Sequence, residues 1–185
     1  LIYFPLTDII LYEEDCITNK DRCEVIIEDK KPIHVFVIVT TFNQYNKNKN
    51  DGGAIHLENC CLTCKETKFN KCEIQEGGGG AIYIKNELDY TNNVTLEFIN
   101  FENCKAEYGG AVYIHLSSVQ VPLRIKKCNF NNNEVIKNDD SILSGGSAIY
   151  LNVLFGKVSL CKFKGNIGSN SAIKIVNEAE NSLML

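Results

Sequence analysis

Cysteines are the residues of this chain whose type and spacing could most directly support chemistry. The sequence contains nine of them, namely Cys16, Cys23, Cys60, Cys61, Cys64, Cys72, Cys104, Cys128 and Cys161. Cys61 and Cys64 form a C-x-x-C pair, but no second pair stands at the spacing of a zinc site. The βαβ context of a thioredoxin-type motif is also missing. Structural disulfides or buried thiols are therefore the expected roles, and we predict no metal and no cofactor.

Acidic residues and histidines are the other groups that could carry catalysis. A polysaccharide lyase or hydrolase needs clustered carboxylates, or a calcium site beside a basic residue. The acidic candidates, all in polar segments, are Glu87, Asp89, Asp139 and Asp140. The three histidines, His34, His56 and His115, have no serine or cysteine partner at a telling spacing. The sequence therefore favours a protein that is not an enzyme.

Composition limits the environment and the partners. The chain is 44% hydrophobic with a net charge of −4, which does not fit a nucleic-acid-binding surface. Its longest apolar run, 34–42, is shorter than the ~18–20 residues of a membrane-spanning helix. The only methionine is Met184, so we expect a piece of a longer chain. The cysteine density and a glycosylation sequon at Asn93 favour an extracellular or cell-surface protein.

One strand motif is written five times along the chain. The copies are "GGAIHL" at 52–57, "GGAIYI" at 79–84, "GGAVYIHL" at 109–116, "GGSAIYL" at 145–151 and "NSAIKI" at 170–175. A second motif, an alternating run that ends in an aromatic residue, recurs between them. Its last residues are Phe42, Phe69, Phe101, Phe130 and Phe163. Two motifs that alternate in fixed order indicate a repeat architecture.

The residue three positions after each phenylalanine is predicted to form a turn. These residues are Tyr45, Cys72, Cys104, Asn133 and Asn166. Asparagine tolerates the left-handed backbone region, and glycine supplies a positive φ at the Gly-Gly corner. Each repeat therefore reads as strand, turn, short link, Gly-Gly corner and second strand.

The periodicity within both motifs is two, which is typical of strands rather than helices. A repeat of this size cannot bury its apolar face alone, so successive copies must stack with their strands in parallel. We predict an all-β, right-handed, single-stranded parallel β-helix of about five coils. Residues 1–32 do not match the repeat and are predicted to form an N-terminal cap, with the repeats over 33–185.

Stacking places equivalent residues in columns. Inside, we expect a phenylalanine column and two aliphatic columns. The first aliphatic column consists of Ile55, Ile82, Val112, Ile149 and Ile173. The second lies beside it and consists of Leu57, Ile84, Ile114, Leu151 and Ile175. Tyr83, Tyr113 and Tyr150 form an outward column with His56 and Lys174 at its ends. This column is either an aromatic ladder that stabilises the strands or a flat binding platform for a sugar or protein.

Two cysteine pairs follow from the same stacking, and a third is suggested by its position in the cap. Cys72 and Cys104 occupy equivalent positions in neighbouring coils, at a separation that suits either a disulfide or a ladder of buried thiols. For Cys128 and Cys161, each two residues before a core phenylalanine, the thiol ladder is favoured. Cys16 and Cys23 bracket a polar segment of the cap and are predicted to form a local bridge.

The pair of motifs resembles the repeats of the polymorphic membrane proteins of chlamydiae and of Pmp-like surface proteins in some parasitic protists. The resemblance covers about 42–175 and rests on "GGAI" or "GGAV" combined with Phe-x-x-Asn, as in "FNNN" (130–133) and "FKGN" (163–166). It implies a right-handed parallel β-helix on a cell surface, associated with adhesion. The chain departs from the pattern at the Phe-x-x-Asn position and at the second glycine. The departures are Tyr45, Cys72, Cys104, Ser147 and Ser171.

Three functions follow as hypotheses. The first is a non-catalytic secreted or cell-surface protein in adhesion or surface display, with a protein or glycan ligand at Tyr83, Tyr113 and Tyr150. The second is a structural subunit of an extracellular filament or coat, whose partners are copies of itself or other subunits. The third, which the sequence favours least, is a polysaccharide lyase or hydrolase.

Overall fold

A computed structural model describes residues 9–11, 25–28, 34–38, 40–43, 46–49, 52–87, 93–117, 122–136, 145–168 and 171–176. Within these ranges the regular structure is entirely β, without a helix. The strands form four parallel sheets stacked as a β-solenoid of about 4 turns. The prediction of an all-β parallel solenoid is therefore confirmed.

The chain visits the four sheets in a fixed order, here called S1 to S4. S1 contains β1 (Ile9–Leu11), β3 (His34–Ile38), β7 (Cys61–Lys65), β11 (Val94–Glu97), β15 (Leu123–Lys126) and β19 (Gly156–Ser159). S2 contains β4 (Thr41–Asn43), β8 (Lys68–Asn70), β12 (Asn100–Glu102), β16 (Asn129–Asn131) and β20 (Lys162–Lys164). S3 contains β5 (Asn46–Lys49), β9 (Glu73–Glu76), β13 (Lys105–Ala106) and β17 (Glu134–Val135). S4 contains β2 (Val25–Glu28), β6 (Ile55–Glu58), β10 (Ile82–Asn86), β14 (Val112–Leu116), β18 (Ile149–Val153) and β21 (Ile173–Val176).

The predicted phenylalanine column is the centre of the core. The rings stack in coil order with centroid separations of 4.8, 5.1, 4.7 and 5.0 Å. This repeat follows the spacing of parallel strands, so each ring covers the face of the one before it. Both aliphatic columns of S4 are also confirmed, because their members pair in register along β6, β10, β14, β18 and β21.

Single residues in the left-handed region turn the chain between the sheets. The S1–S2 corners are at Glu66, Phe98, Lys127 and Leu160, and the S2–S3 corners at Lys71, Asn103, Asn132 and Gly165. In these four coils the S2–S3 corner therefore lies two residues after the phenylalanine, and the predicted position three residues after it is wrong. The predicted turn at Tyr45 lies outside the described residues. One left-handed residue is enough to redirect the chain, and the next side chain then points into the core.

Asn133 shows what that inward position does. Its side chain is completely buried, and its Oδ1 accepts a hydrogen bond from the Cys104 backbone amide at 2.9 Å. Its Nδ2 donates to the Phe101 carbonyl at 3.2 Å. Asn166 repeats the bond one coil later, with Nδ2 donating to the Phe130 carbonyl at 2.9 Å. The amides therefore connect successive coils through the main-chain groups at the corner.

Replacing Asn133 with alanine is expected to lower the free energy of unfolding by about 1–3 kcal/mol, because the buried Cys104 amide loses its acceptor. Urea unfolding followed by circular dichroism measures the loss. Asn129→Ala is the matched control, since the half-buried Asn129 bonds the Asn100 side chain and both can turn to water. Equal destabilisation by the two variants would contradict a special role for the inward amide.

The segment predicted as an N-terminal cap contributes two of the described strands. β1 pairs in parallel with β3, and β2 with β6, so these strands extend S1 and S4. This part of the segment therefore continues the stack. The boundary between cap and repeats stays a prediction.

Candidate functional site

The tyrosine column lies on the outer side of S4. Tyr83, Tyr113 and Tyr150 pair in register on β10, β14 and β18, and their rings stack with centroids 4.9 and 5.2 Å apart. His56 stacks on Tyr83 at 4.9 Å, and the Lys174 ammonium lies 5.7 Å from the Tyr150 ring centre. The predicted column and both of its ends are therefore confirmed.

The column is nevertheless not an exposed platform. Tyr83, Tyr113 and Tyr150 are only 6%, 9% and 1% exposed. Tyr108 covers them, with its ring edge-on to Tyr113 at 5.2 Å and to Tyr150 at 6.1 Å. Burial of this extent favours the first of the two alternatives, the aromatic ladder, over a flat binding platform. Binding by these three tyrosines stays untested.

Tyr108 fits over the column because the preceding coil makes room for it. The bridge partner of Tyr108 is Gly78, where a Cβ would come within 2.3 Å of the Tyr108 ring. Sequence reasoning missed this residue. The available signal was an extra glycine, Gly78, directly before the Gly-Gly corner of its coil. The next coil has Tyr108 at the equivalent position.

A second, polar column runs beside the tyrosines along S4. Its members pair in register and are Glu58, Lys85, His115 and Asn152. The Lys85 ammonium lies 2.7 Å from the Glu87 carboxylate, and this hydrogen bond and its charge lower the pKa of Glu87. We call Lys85, Glu87, His115, Ser117 and Asn152 the polar cluster.

His115 is the centre of the polar cluster. Its Nε2 lies 2.9 Å from the Ser117 hydroxyl, and its Nδ1 lies 3.1 Å from Asn152 Nδ2. No serine partner for a histidine was singled out from the sequence, and the structure places Ser117 beside His115. The missed signal was the spacing of two, which places His115 and Ser117 on one face of an extended chain.

The hydrogen-bond directions determine what this cluster can do chemically. The Asn152 amide nitrogen is a donor and faces Nδ1 of His115, which favours the tautomer in which Nε2 donates to Ser117. A histidine in that tautomer does not take the proton from the serine, as a nucleophile–base pair requires. The arrangement instead presents hydroxyl, ammonium and carboxylate groups that suit recognition of a polar ligand.

Asn93, the predicted glycosylation site, is exposed directly before β11. Its carbonyl accepts a hydrogen bond from the Leu62 amide at 2.9 Å, which leaves the side chain outside the strand ladder. The position is therefore accessible to a glycan, and its modification stays a prediction.

The described cysteines line the core as thiols, and no disulfide joins any two of them. Cys72 Sγ lies 3.9 Å from the Asn70 carbonyl, and Cys104 Sγ lies 3.6 Å from the Glu102 carbonyl. Both side chains are fully buried, which matches the thiol-ladder alternative. Their pairing as a disulfide stays a prediction. Cys16 and Cys23 lie outside the described residues, as do Asp89, Asp139 and Asp140.

The part of the chain that the structure describes brings together no group of three histidine, cysteine, aspartate or glutamate side chains able to hold a metal ion. Nor do the described ranges contain a helix long and apolar enough to cross a membrane. Comparisons with protein-family models, with curated proteins and with solved structures give no match for this protein.

Proposed function

We propose that this is a non-catalytic, secreted or cell-surface protein that acts in adhesion or surface display. Its contact surface is the polar cluster on S4 together with the two segments, 87–93 and 117–122, that follow β10 and β14. The ligand is a protein or a glycan. The observation that carries the proposal is the position at which the coils differ in length.

Chain length varies where the strands of S4 end, and also between β17 and β18, which 136–148 separate. Only Asn59 and Cys60 separate β6 from β7, whereas 87–93 separate β10 from β11 and 117–122 separate β14 from β15. The corners between S1 and S2 instead use one left-handed residue per coil. Repeat proteins place binding functions in segments that vary over a constant scaffold.

The chemistry and rigidity of this surface support the same function. The polar cluster offers donors and acceptors of several kinds within hydrogen-bond distance of one another, as sugar hydroxyls or a polar peptide require. The buried tyrosine column beside it holds the strands in register, so the strand residues of the cluster lose little conformational entropy on binding. The resemblance of the two motifs to Pmp-like surface proteins supports adhesion independently of the cluster.

Binding of the folded full-length protein to a glycan array and to whole cells tests the proposal. We expect Lys85→Ala and His115→Ala each to weaken binding roughly tenfold, the effect of losing one charged or polar contact. Lys105→Ala is the matched control. Its ammonium lies 2.7 Å from Glu134 on S3, as that of Lys85 lies 2.7 Å from Glu87 on S4. Equal loss of binding in the Lys85 and Lys105 variants would place the contact surface elsewhere.

The alternative, a structural subunit of a filament or coat, is supported by the last described coil. Phe155 is 70% exposed, Leu160 71% and Ile175 66%, whereas most large apolar side chains described in the earlier coils are buried and Phe98 is 48% exposed. Such an apolar end suits contact between copies of the chain. Sedimentation of the same preparation separates the two functions, since assembly without ligand would favour the structural subunit and a stable monomer the adhesin.

A further inference from the structure

Cys128 and Cys161 lie directly over one another in neighbouring coils. The residues that follow them pair in register on β16 and β20, and the Lys162 amide donates to the Cys128 carbonyl at 2.9 Å. Cys128 Sγ is 3.5 Å from the Leu96 carbonyl, and Cys161 Sγ is 3.9 Å from the carbonyl of Ile125, the register partner of Leu96. Each sulfur therefore points toward the same place in the coil before it.

Cys161 is the accessible member of the pair. Among the seven cysteines in the described ranges it alone is half-buried, whereas Cys128 is fully buried. Cys161 directly follows Leu160, a corner residue that is 71% exposed. Cys161 is therefore the member of the pair that lies nearer to solvent, and Cys128 is the member that lies in the core.

The two thiols also differ in acidity. A hydrogen bond from Cys128 lowers the pKa of Cys161 below that of an ordinary thiol. The same hydrogen bond and burial in the core raise the pKa of Cys128. Thiolate character is thus concentrated on the accessible sulfur, as in cysteines that react with oxidants. Burial raises the pKa of Cys64 to about 12, so this thiol illustrates the unreactive cysteines of the same core.

We propose that Cys128 and Cys161 are a peroxide-sensitive dithiol that forms a reversible disulfide between the coils of β16 and β20. The Cys161 thiolate attacks one oxygen of a peroxide, the O–O bond breaks, and the other oxygen leaves as water or an alcohol after taking a proton. The Cys128 sulfur then attacks the resulting sulfenic acid. The S–O bond breaks, and its oxygen leaves as water with the Cys128 proton. The two sulfurs lose two electrons, which the peroxide gains.

The geometry makes this disulfide easy to reduce. In-register residues of adjacent parallel strands have Cα atoms about 4.8 Å apart, within the range of disulfides. Their Cα–Cβ bonds are nearly parallel, so the two Cβ atoms are about as far apart as the two Cα atoms. That separation exceeds the ~3.8 Å mean Cβ separation of a disulfide. Closing the bond therefore draws the two corners together, and strained disulfides of this kind are the labile ones.

The test treats the folded, reduced full-length protein with hydrogen peroxide, then blocks free thiols and maps disulfide-linked peptides by mass spectrometry. We expect a cross-link between the peptides of Cys128 and Cys161 that dithiothreitol removes. Cys128→Ser should instead leave Cys161 as a sulfenic acid that a 1,3-dione probe labels. Cys161→Ser should abolish both products, and Cys104→Ser should leave the cross-link unchanged.

The wild-type protein alone can overturn the proposal, which keeps the test independent of how the variants fold. It would be overturned if Cys161 reacted with peroxide without forming the cross-link to Cys128. Preferential cross-linking of Cys72 to Cys104, a fully buried pair that follows the S2–S3 corner in two earlier coils, would overturn it as well.

Discussion

Replacing Phe101 with alanine is expected to lower the free energy of unfolding by about 3–5 kcal/mol, the range for removing a buried aromatic ring. The Phe101 side chain is fully buried and stacks on Phe69 at 5.1 Å and on Phe130 at 4.7 Å. Truncation therefore leaves a cavity and removes a stacking partner on both sides. Since each coil of a solenoid contacts only its neighbours, loss of the central ring also weakens the coupling between the two halves.

Urea unfolding followed by far-ultraviolet circular dichroism measures the loss as a lower midpoint. Phe163→Ala is the matched control. Phe163 is half-buried in the last described coil and stacks on one neighbour, Phe130, at 5.0 Å. We expect it to cost roughly half as much, since less apolar area leaves water on folding. Equal effects at the two positions would contradict a stability that depends on stacking from both sides.

The internal columns could be predicted from the sequence because a stacked repeat leaves few alternatives. Once the Gly-Gly and phenylalanine motifs alternate, equivalent residues must lie above one another, and a period of two decides which of them face inward. The pairings of Phe101 with Phe130 and of Val112 with Ile149 follow directly. No motif marks β1 and β2, which lack the Gly-Gly and phenylalanine signals, so their place in the stack was not predicted.

The S2–S3 corners were predicted one residue too late along the chain. A left-handed position has no reliable side-chain signature, so the motif alone could not locate it. Lys71 and Phe98 hold such positions as Asn103 does, with φ angles of 54, 57 and 55°. The asparagine signal instead marked Asn133, which is present for its inward amide. An asparagine can thus mark the residue after a left-handed corner, where its side chain bonds the main chain, rather than the corner residue itself.

The candidate site was harder to predict because it depends on contacts between coils. Tyr113 alternates correctly to the outside of the strand, but its burial comes from Tyr108. That ring has room only because Gly78 lacks a side chain. His115 and Asn152 meet only through the register of β14 with β18, and Ser117 joins them from beyond the end of β14. The residue periodicity and the composition of the sequence describe one strand at a time, so they do not predict contacts between strands of different coils.

Gly80→Ala is expected to destabilise the protein by about 3 kcal/mol or more, at or beyond the upper end of what overpacking costs. A Cβ at Gly80 would lie 2.4 Å from the Gly110 carbonyl oxygen, 2.5 Å from that of Lys105 and 2.8 Å from the Lys105 nitrogen. All three are main-chain atoms of the next coil, so no rotamer change relieves the contact. The coils must separate, which stretches the bond from the Ala81 amide to the Ala111 carbonyl, now 2.9 Å.

The chain itself contains one compensated version of this change. Ser147 replaces the second glycine in a later coil, and the residue that packs beside it is Gly168, whose Cβ would lie 3.0 Å from that of Ser147. At Gly80 the contacts are with main-chain atoms of Gly110 and Lys105, which a smaller neighbouring side chain would not relieve.

Gly156→Ala is the control for the general effect of adding a methyl group. It would meet only the side chain of Leu123, at 3.0 Å, beside a cavity of about 420 Å³ into which Leu123 can move. We therefore expect a large fall in the urea midpoint for Gly80→Ala and a small one for Gly156→Ala. A midpoint for Gly80→Ala that matched the wild type would show that the coils are not in contact through their glycines. The close packing at the Gly-Gly corner would then not explain why the motif recurs.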